Sequence, residues 1–341
     1  MGGQTIICFG EMLLRLGCPG FERFSEATRM ELRYGGSEAN VAILLARLGL
    51  GSEYVTRLPA NDLGDAAEAL IRSQGVDTSH VLRGGDRLGL YFSETGNAVR
   101  PTRIIYDRAH SSFATLEPGM IPWKQIFSGP GWFHWSGISP ALSAMSVRLC
   151  LEALEQAKVA GRRISADFNH RSTLWNYGMH PSAVMPELLT HCEAVTCDLD
   201  SAALYFGIRV PDSGGLRQSA AHCMESLSKK LPRLKTLAMS LREPIAGGGI
   251  AYSGALMQEG KMYYQDPYPI HEDVGRIGSG DAFTGGLLYG LVTGAPPKQT
   301  LALATAAGAL KHSIAADFPL FGLTELQALV RDGSARGRVV R

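Results

Sequence analysis

Trp132-Phe-His-Trp-Ser-Gly137, then Ser143 to Gly161, then Arg163-Ile-Ser-Ala-Asp-Phe168, set out in one stretch the pattern from which the fold follows. The first and last pieces are short apolar runs of the kind that form buried strands. The middle piece is long, rich in helix formers and closed by glycine. The same alternation extends in both directions. Towards the N-terminus, Thr5-Ile-Ile-Cys-Phe-Gly10 reads as a strand, Ala39 to Leu48 as a helix stopping at Gly49, Glu53 to Arg57 as a strand and Gly64 to Gly75 as a helix. Towards the C-terminus come a helix at Ala183 to His191, a strand at Glu193 to Thr196, a helix at Ser219 to Leu231 and a strand at Leu234 to Ser240. Gly249 to Gln265 has the turn-separated pattern of a hairpin, and Asp281 to Val292 and Thr300 to Ser313 are helices rich in small residues.

Repeated strand–helix alternation predicts an α/β fold, with a mostly parallel sheet covered by helices on both faces. Ligands of such sheets lie beyond the carboxyl ends of the strands. Met12 to Gly35 and Asp86 to Asp107 break the rhythm. They are richer in Arg, Tyr and polar residues, and alternate as in Leu88-Gly-Leu-Tyr-Phe92. These segments are expected to form a small sheet over the site. The expected organisation is therefore a large α/β domain from positions 1–11, 36–85 and 108–335, and a β-sheet lid from 12–35 and 86–107.

The chain has 341 residues, 45% apolar and 19% charged, enough for one large core with a small accessory sheet. A formal net charge of +1 gives no reason to expect a nucleic-acid or membrane partner. The apolar run at Thr5 to Gly10 is too short to span a bilayer and no basic segment precedes it, so a soluble protein is expected. Six cysteines are scattered without a CxxC pair, and the histidines add no metal-ligand spacing. They read as reduced residues in the cytoplasm, and no protein-ligated metal site is expected.

The strongest chemical signal is Arg276-Ile-Gly-Ser-Gly-Asp-Ala-Phe-Thr-Gly-Gly286. Gly278 and Gly280 flank Ser279 just ahead of a helix whose first turn carries Asp281. Such a turn can gather backbone N–H groups at the positive end of the helix, which makes an anion hole for a transferring phosphoryl group. Asp281 beside it could take a proton from an incoming hydroxyl. The same residues read equally as a turn with an aspartate at a helix start. The stretch is neither a Walker A loop nor a dinucleotide fingerprint. Tyr34-Gly-Gly-Ser-Glu-Ala-Asn40 is a second glycine pair ahead of a helix, with Asn40 either a hydroxyl ligand or a helix-end residue. Tyr91, Tyr106, Arg108 and Arg171 form a third set. An arginine fork matches a carboxylate, although each arginine could equally be a surface charge.

With GGSEAN (Gly35 to Asn40) near one end and GSGDAFTGG (Gly278 to Gly286) near the other, the chain resembles the ribokinase/PfkB carbohydrate kinase family along nearly its whole length. The stretches GEMLLRL (Gly10 to Leu16), YDRAHS (Tyr106 to Ser111), WFHWSGISPALS (Trp132 to Ser143), DFNHRSTLW (Asp167 to Trp175) and LKHSIAADF (Leu310 to Phe318) resemble the 2-keto-3-deoxygluconate kinases within it. The resemblance implies a ribokinase-like three-layer α/β/α sandwich with a small β-sheet lid, often used for dimerisation. It also implies ATP-dependent phosphorylation of a sugar acid to its 6-phosphate; a kinase for a fructose- or ribose-type sugar, or a sugar-binding paralogue of low activity, are the alternatives. By the same resemblance, Gly36, Ser37 and Asn40 would hold sugar hydroxyls, Tyr91 would cover the sugar, and Tyr106, Arg108 and Arg171 would bind the keto-acid end, with Asp317 closing the site. Gly278, Ser279 and Gly280 would form the anion hole and Asp281 would be the base. ATP would lie along Asn169, Asp198, Ser240, Arg242, Gly247 to Gly249, Gly278, Gly280 and Thr305, with Mg²⁺ held mainly by phosphate oxygens and water.

The sequence departs from the family pattern at four places. The usual Asn-x-x-Glu appears as Asp198-Leu-Asp-Ser201, with Asp200 one position from the missing carboxylate. The usual aspartate ahead of the glycine pair is Gly275, which weighs against a monovalent-cation site there. Gly247-Gly-Gly249 is unusual on the nucleotide side, and Ala315-Ala316 stands in place of Pro-Gly.

Overall fold

The structure is a computed structural model and describes residues 4–97, 99–210 and 214–333. Positions 1–3, 211–213 and 334–335, assigned above to the large domain, and position 98, assigned to the lid, lie outside the described residues.

Alternation within the short apolar runs builds a sheet with two buried faces. In the strand Thr5–Phe9, Ile7 and Phe9 turn to one face while Ile6 and Cys8 turn to the other, because successive side chains of a strand point in opposite directions. Eight strands lie side by side in the order Lys261–Ile270, Ile250–Gln258, Thr236–Pro244, Ala194–Cys197, Arg163–Asp167, Gly131–Ser136, Thr5–Phe9 and Ser52–Val55. The pairings from Ser52–Val55 to Thr236–Pro244 are parallel, and the final two strands join as an antiparallel hairpin edge. One face packs Ile7, Phe133, Ile164, Val195 and Leu237 against helix residues such as Leu149, Leu188, Tyr205 and Leu227. The other packs Ile6, Cys8 and Trp132 against Val41 and Leu45, and Ala238, Tyr252 and Leu256 against Phe283, Leu301 and Ala304. This is the three-layer α/β/α arrangement.

Helix Ser279–Thr293 lies deep in the second layer because its small residues let neighbours approach. Gly285 faces Leu44 of helix Ser37–Arg47, and Gly286 faces the backbone at Leu303 and Ala304 of helix Pro297–Lys311, where a Cβ would stand only 2.7 to 2.8 Å from those atoms.

The segments that break the alternation form a separate sheet of four strands, in the order Glu31–Gly35, Leu13–Gly17, Gly89–Glu94 and Arg103–Asp107. Leu13, Tyr91, Ile104 and Tyr106 on this sheet line the main cleft. Helices Leu199–Phe206 and Leu323–Asp332 were not anticipated from the sequence. The first starts at Asp198, whose carboxylate accepts from the Ser201 amide as an N-cap.

Candidate active site

A cleft of about 570 Å³ opens at the carboxyl ends of the parallel strands, under the small sheet. Its floor is the start of helix Ser279–Thr293. Gly278 precedes this helix with φ 86°, a left-handed conformation that costs glycine nothing. No side chain caps the helix, so its first-turn amides beyond Ser279 have no helical acceptor.

Asp281 sits on that first turn, buried, with both carboxylate oxygens held. Ser37 Oγ donates to Oδ1 at 2.7 Å and Asn40 Nδ2 donates to Oδ2 at 2.6 Å. Asn169 Nδ2 in turn donates to Ser37 Oγ at 2.7 Å. Burial pushes the Asp281 carboxyl above the usual carboxylate range, while the bonds from Asn40 and Ser37 and the charges of Arg171 and Lys311 act to lower it. Asn40 keeps its buried Oδ1 without a hydrogen-bond partner. Ser37 and Asn40, expected on sugar hydroxyls, thus spend their donors on orienting Asp281.

The expected residues Gly36, Ser37, Asn40, Tyr91, Tyr106, Arg108, Arg171 and Asp317 all line this cleft, as do Asn169, Asp198, Ser240, Arg242 and the Gly278 to Asp281 turn. Three others do not. Thr305 is fully buried and donates to the Leu301 carbonyl at 2.9 Å, on a helix face packed against Gly254. Gly247 and Gly249 form the exposed hairpin turn between Thr236–Pro244 and Ile250–Gln258, where consecutive positive φ values of 83°, 92° and 96° account for the triple glycine. The turn chemistry of a hairpin explains that motif without a nucleotide.

Arg108 also differs from expectation. Its Nε and NH2 both point at Glu11 Oε2, at 2.7 and 2.6 Å, in a buried ion pair. Among the described residues, Glu11 is otherwise bound by Ser111, whose hydroxyl donates to Oε1 at 2.5 Å, so in this buried pair Arg108 serves as its counter-charge. Arg171 donates one NH to the His170 carbonyl at 3.0 Å and stands beside the Tyr106 hydroxyl. Arg242 NH2 donates to Ser279 Oγ at 3.2 Å, which places a guanidinium at the glycine turn.

Asp317 is held from the small sheet: Arg15 NH1 lies 2.6 Å from Oδ1 and the Tyr91 hydroxyl donates to Oδ2. Asp198 keeps both oxygens on Ser201, whose amide and hydroxyl donate at 2.8 and 2.5 Å. The serine at that position completes a helix cap. Among the described residues, no group of three or more His, Cys, Asp or Glu is placed to hold a metal ion.

Sequence reasoning missed Asp167, Glu11, Arg15 and Lys311. Asp167 lines the cleft and accepts from the Asn169 amide at 3.1 Å; burial, then the charge of Asp281, pushes its carboxyl up to about 7. Its place as the last residue of the strand Arg163–Asp167 was the available signal, since ligands sit beyond strand carboxyl ends.

A family model described as pfkB family carbohydrate kinase matches residues 4–313. The chain is 31% identical over 334 residues to a 2-dehydro-3-deoxygalactonokinase of Haloferax volcanii, covering 97% of this chain and 98% of that protein. It is 26% identical over 307 residues to a 2-dehydro-3-deoxygluconokinase of Bacillus subtilis, covering 89% and 88% of the two. Among solved structures, a 2-dehydro-3-deoxygluconokinase of Thermotoga maritima superposes with a TM-score of 0.90 at 34% identity, covering 96% of this chain and 99% of that one.

Proposed function

This chain belongs to the pfkB family of carbohydrate kinases, and on that premise we propose that it transfers the γ-phosphoryl group of ATP to a 2-keto-3-deoxy sugar acid, with 2-keto-3-deoxygluconate, phosphorylated at its 6-hydroxyl, as the leading substrate. The observation that carries this reading is the buried Asp281 carboxylate, oriented by Ser37 and Asn40 at the mouth of an uncapped helix start. Asp281 takes the proton of the sugar hydroxyl as its oxygen forms a bond to the γ-phosphorus. The bond from that phosphorus to the β–γ bridging oxygen breaks, and ADP leaves. The first-turn amides of helix Ser279–Thr293 and the Arg242 guanidinium stabilise the charge on the transferring group. Arg171 and Tyr106 face the keto-acid end. ATP runs along Ser240, Arg242 and the Asp198 loop.

A Mg²⁺ ion would be held mainly by phosphate oxygens and water, with the cleft carboxylates Asp167 and Asp198 able to accept from its water ligands. When bound it neutralises phosphate charge. The small sheet acts as a lid that shuts water out.

We further assign the outer face of that sheet to a homodimer contact. Leu32, Leu16, Phe92 and Ile105 stand in register as one apolar row across all four strands, with Leu32 53% and Ile105 51% exposed. An Ile105→Glu variant is expected to sediment as a monomer where the parent sediments as a dimer. Six unpaired, buried cysteines and an ATP-dependent reaction favour the cytoplasm. Among the described residues, no helix is long and apolar enough to cross a membrane.

The test is a panel of sugars assayed with Mg-ATP. The reading expects rapid ADP formation with 2-keto-3-deoxygluconate or its C4 epimer and little with fructose. Preference for fructose would overturn the substrate, and calorimetric binding without ADP formation would make the protein a sugar-binding paralogue.

A further inference from the structure

Lys311, the last residue of helix Pro297–Lys311, is fully buried, yet it makes no ion pair within 4 Å among the described residues. Its ammonium donates instead to two main-chain carbonyls, of Gly275 and Ile314, each at 2.9 Å. These belong to the loop entering the glycine turn and to the turn leaving the lysine's own helix. The two segments are also joined by the amides of Val274 and Gly275, which donate to the His312 carbonyl at 2.9 and 3.3 Å. The lysine stem passes Gly278 itself, since a Cβ there would stand 3.4 Å from Lys311 Cε.

Two carbonyl oxygens converging on one buried positive centre is the coordination that main chain offers to a monovalent cation. Gly275 fits the same arrangement, because a Cβ at that position would overlap the Ile314 carbonyl. A carboxylate side chain there, as the family resemblance led one to expect, has no room. A glycine and a lysine thus replace a carboxylate and a dissociable ion.

We propose that the Lys311 ammonium is a tethered monovalent cation, a positioning group that locks the 275–278 loop and adds positive charge behind the phosphoryl-binding turn. The proposal rests on placing phosphoryl transfer at Gly278 to Asp281. Lys311 touches neither sugar nor nucleotide; it acts through the loop. The groups that bear on its charge are Asp317, Asp281 and Asp273, which favour the ammonium, and Arg15, which opposes it. Burial lowers its pKa to about 8, so the charge is complete below that pH and is lost as pH rises through it.

The test uses the full chain in buffers whose only added monovalent cation is tetramethylammonium. Wild-type turnover is expected to be unchanged by potassium; strong stimulation by potassium would overturn the proposal. Lys311→Ala is expected to lose kcat on the order of tenfold or more, with KM for the sugar acid little changed. Potassium or ammonium, but not choline, should restore it. Wild-type turnover in that variant, or no restoration in a variant that melts like the parent, would overturn the proposal. Where Lys311→Ala fails to fold, Lys311→Met decides: it keeps the stem without the charge, and is expected to lose kcat together with the alkaline fall near pH 8. A wild-type kcat or an unchanged alkaline limb there would refute the tethered cation. Full activity in Asp281→Asn would instead sink the placing of the chemistry, so the two failures are distinguishable.

Discussion

The Arg15 guanidinium lies 2.6 Å from the Asp317 carboxylate, joining the small sheet to the segment that follows helix Pro297–Lys311. Arg15 also donates to the Ala315 carbonyl at 3.2 Å, and Tyr91 adds its hydroxyl to the same carboxylate. The sheet is held over the cleft by these polar contacts. Both charges are largely buried, so each depends on the other for its solvation.

Asp317→Asn keeps the shape of the side chain and strands Arg15. It is expected to destabilise the protein by about 3 kcal/mol in urea denaturation. Because Arg15 and Tyr91 hold the sheet above the part of the cleft proposed for the sugar, KM for the sugar acid should rise more than KM for ATP in steady-state assays.

Arg171 and Arg108 looked alike in the sequence, but the Glu11 pair separates them. Arg171→Met is expected to raise KM for the sugar acid by about 10- to 100-fold, the loss of a charge-assisted hydrogen bond. Its melting temperature should barely move. Arg108→Met leaves Glu11 buried without its counter-charge. Its main effect is lost stability, read as a fall in melting temperature that Glu11→Gln in the same chain partly restores.

Glu38 is buried under Gly10 and accepts from the Ser136 hydroxyl at 2.6 Å. Burial pushes its carboxyl from the usual 4.5 up to about 7. The folded protein therefore holds this proton more tightly than the unfolded chain does. Its contribution is most favourable below the unfolded value and declines as pH rises towards 7. Glu38→Gln keeps an acceptor for Ser136 and cannot ionise. It is expected to match the parent near pH 4 and to exceed it by up to about 3 kcal/mol above about pH 8, measured by urea denaturation across that range.

Much of the fold was legible because burial on both faces leaves short unbroken apolar runs, such as Gly131–Ser136, which is buried at every position. Helix Leu199–Phe206 was not legible: it is only eight residues long, and its start signal, Asp198 with Ser201, was read as a ligand motif. Within the cleft, glycine turns and the residues after them stand out in the sequence, and Asp281 and Asn40, which meet there, follow such turns. Arg108 could not be told from Arg171, since its partner Glu11 lies 97 positions away in the chain. Gly247 to Gly249 show a related limit: glycines that serve a left-handed turn look the same in sequence as glycines that admit a phosphate. Lys311 was hidden as a helix-ending lysine, normally a solvated charge.

The most direct measurement is the turnover of Asp281→Asn with Mg-ATP and 2-keto-3-deoxygluconate, alongside calorimetric binding of each ligand. The Ser37 hydroxyl can turn to accept from the new amide while Asn40 still donates to its carbonyl, so both ligands should bind within about threefold of the parent. Its kcat is expected to fall on the order of a hundredfold or more. A variant that turns over at the parent rate would contradict the role of Asp281 as the base.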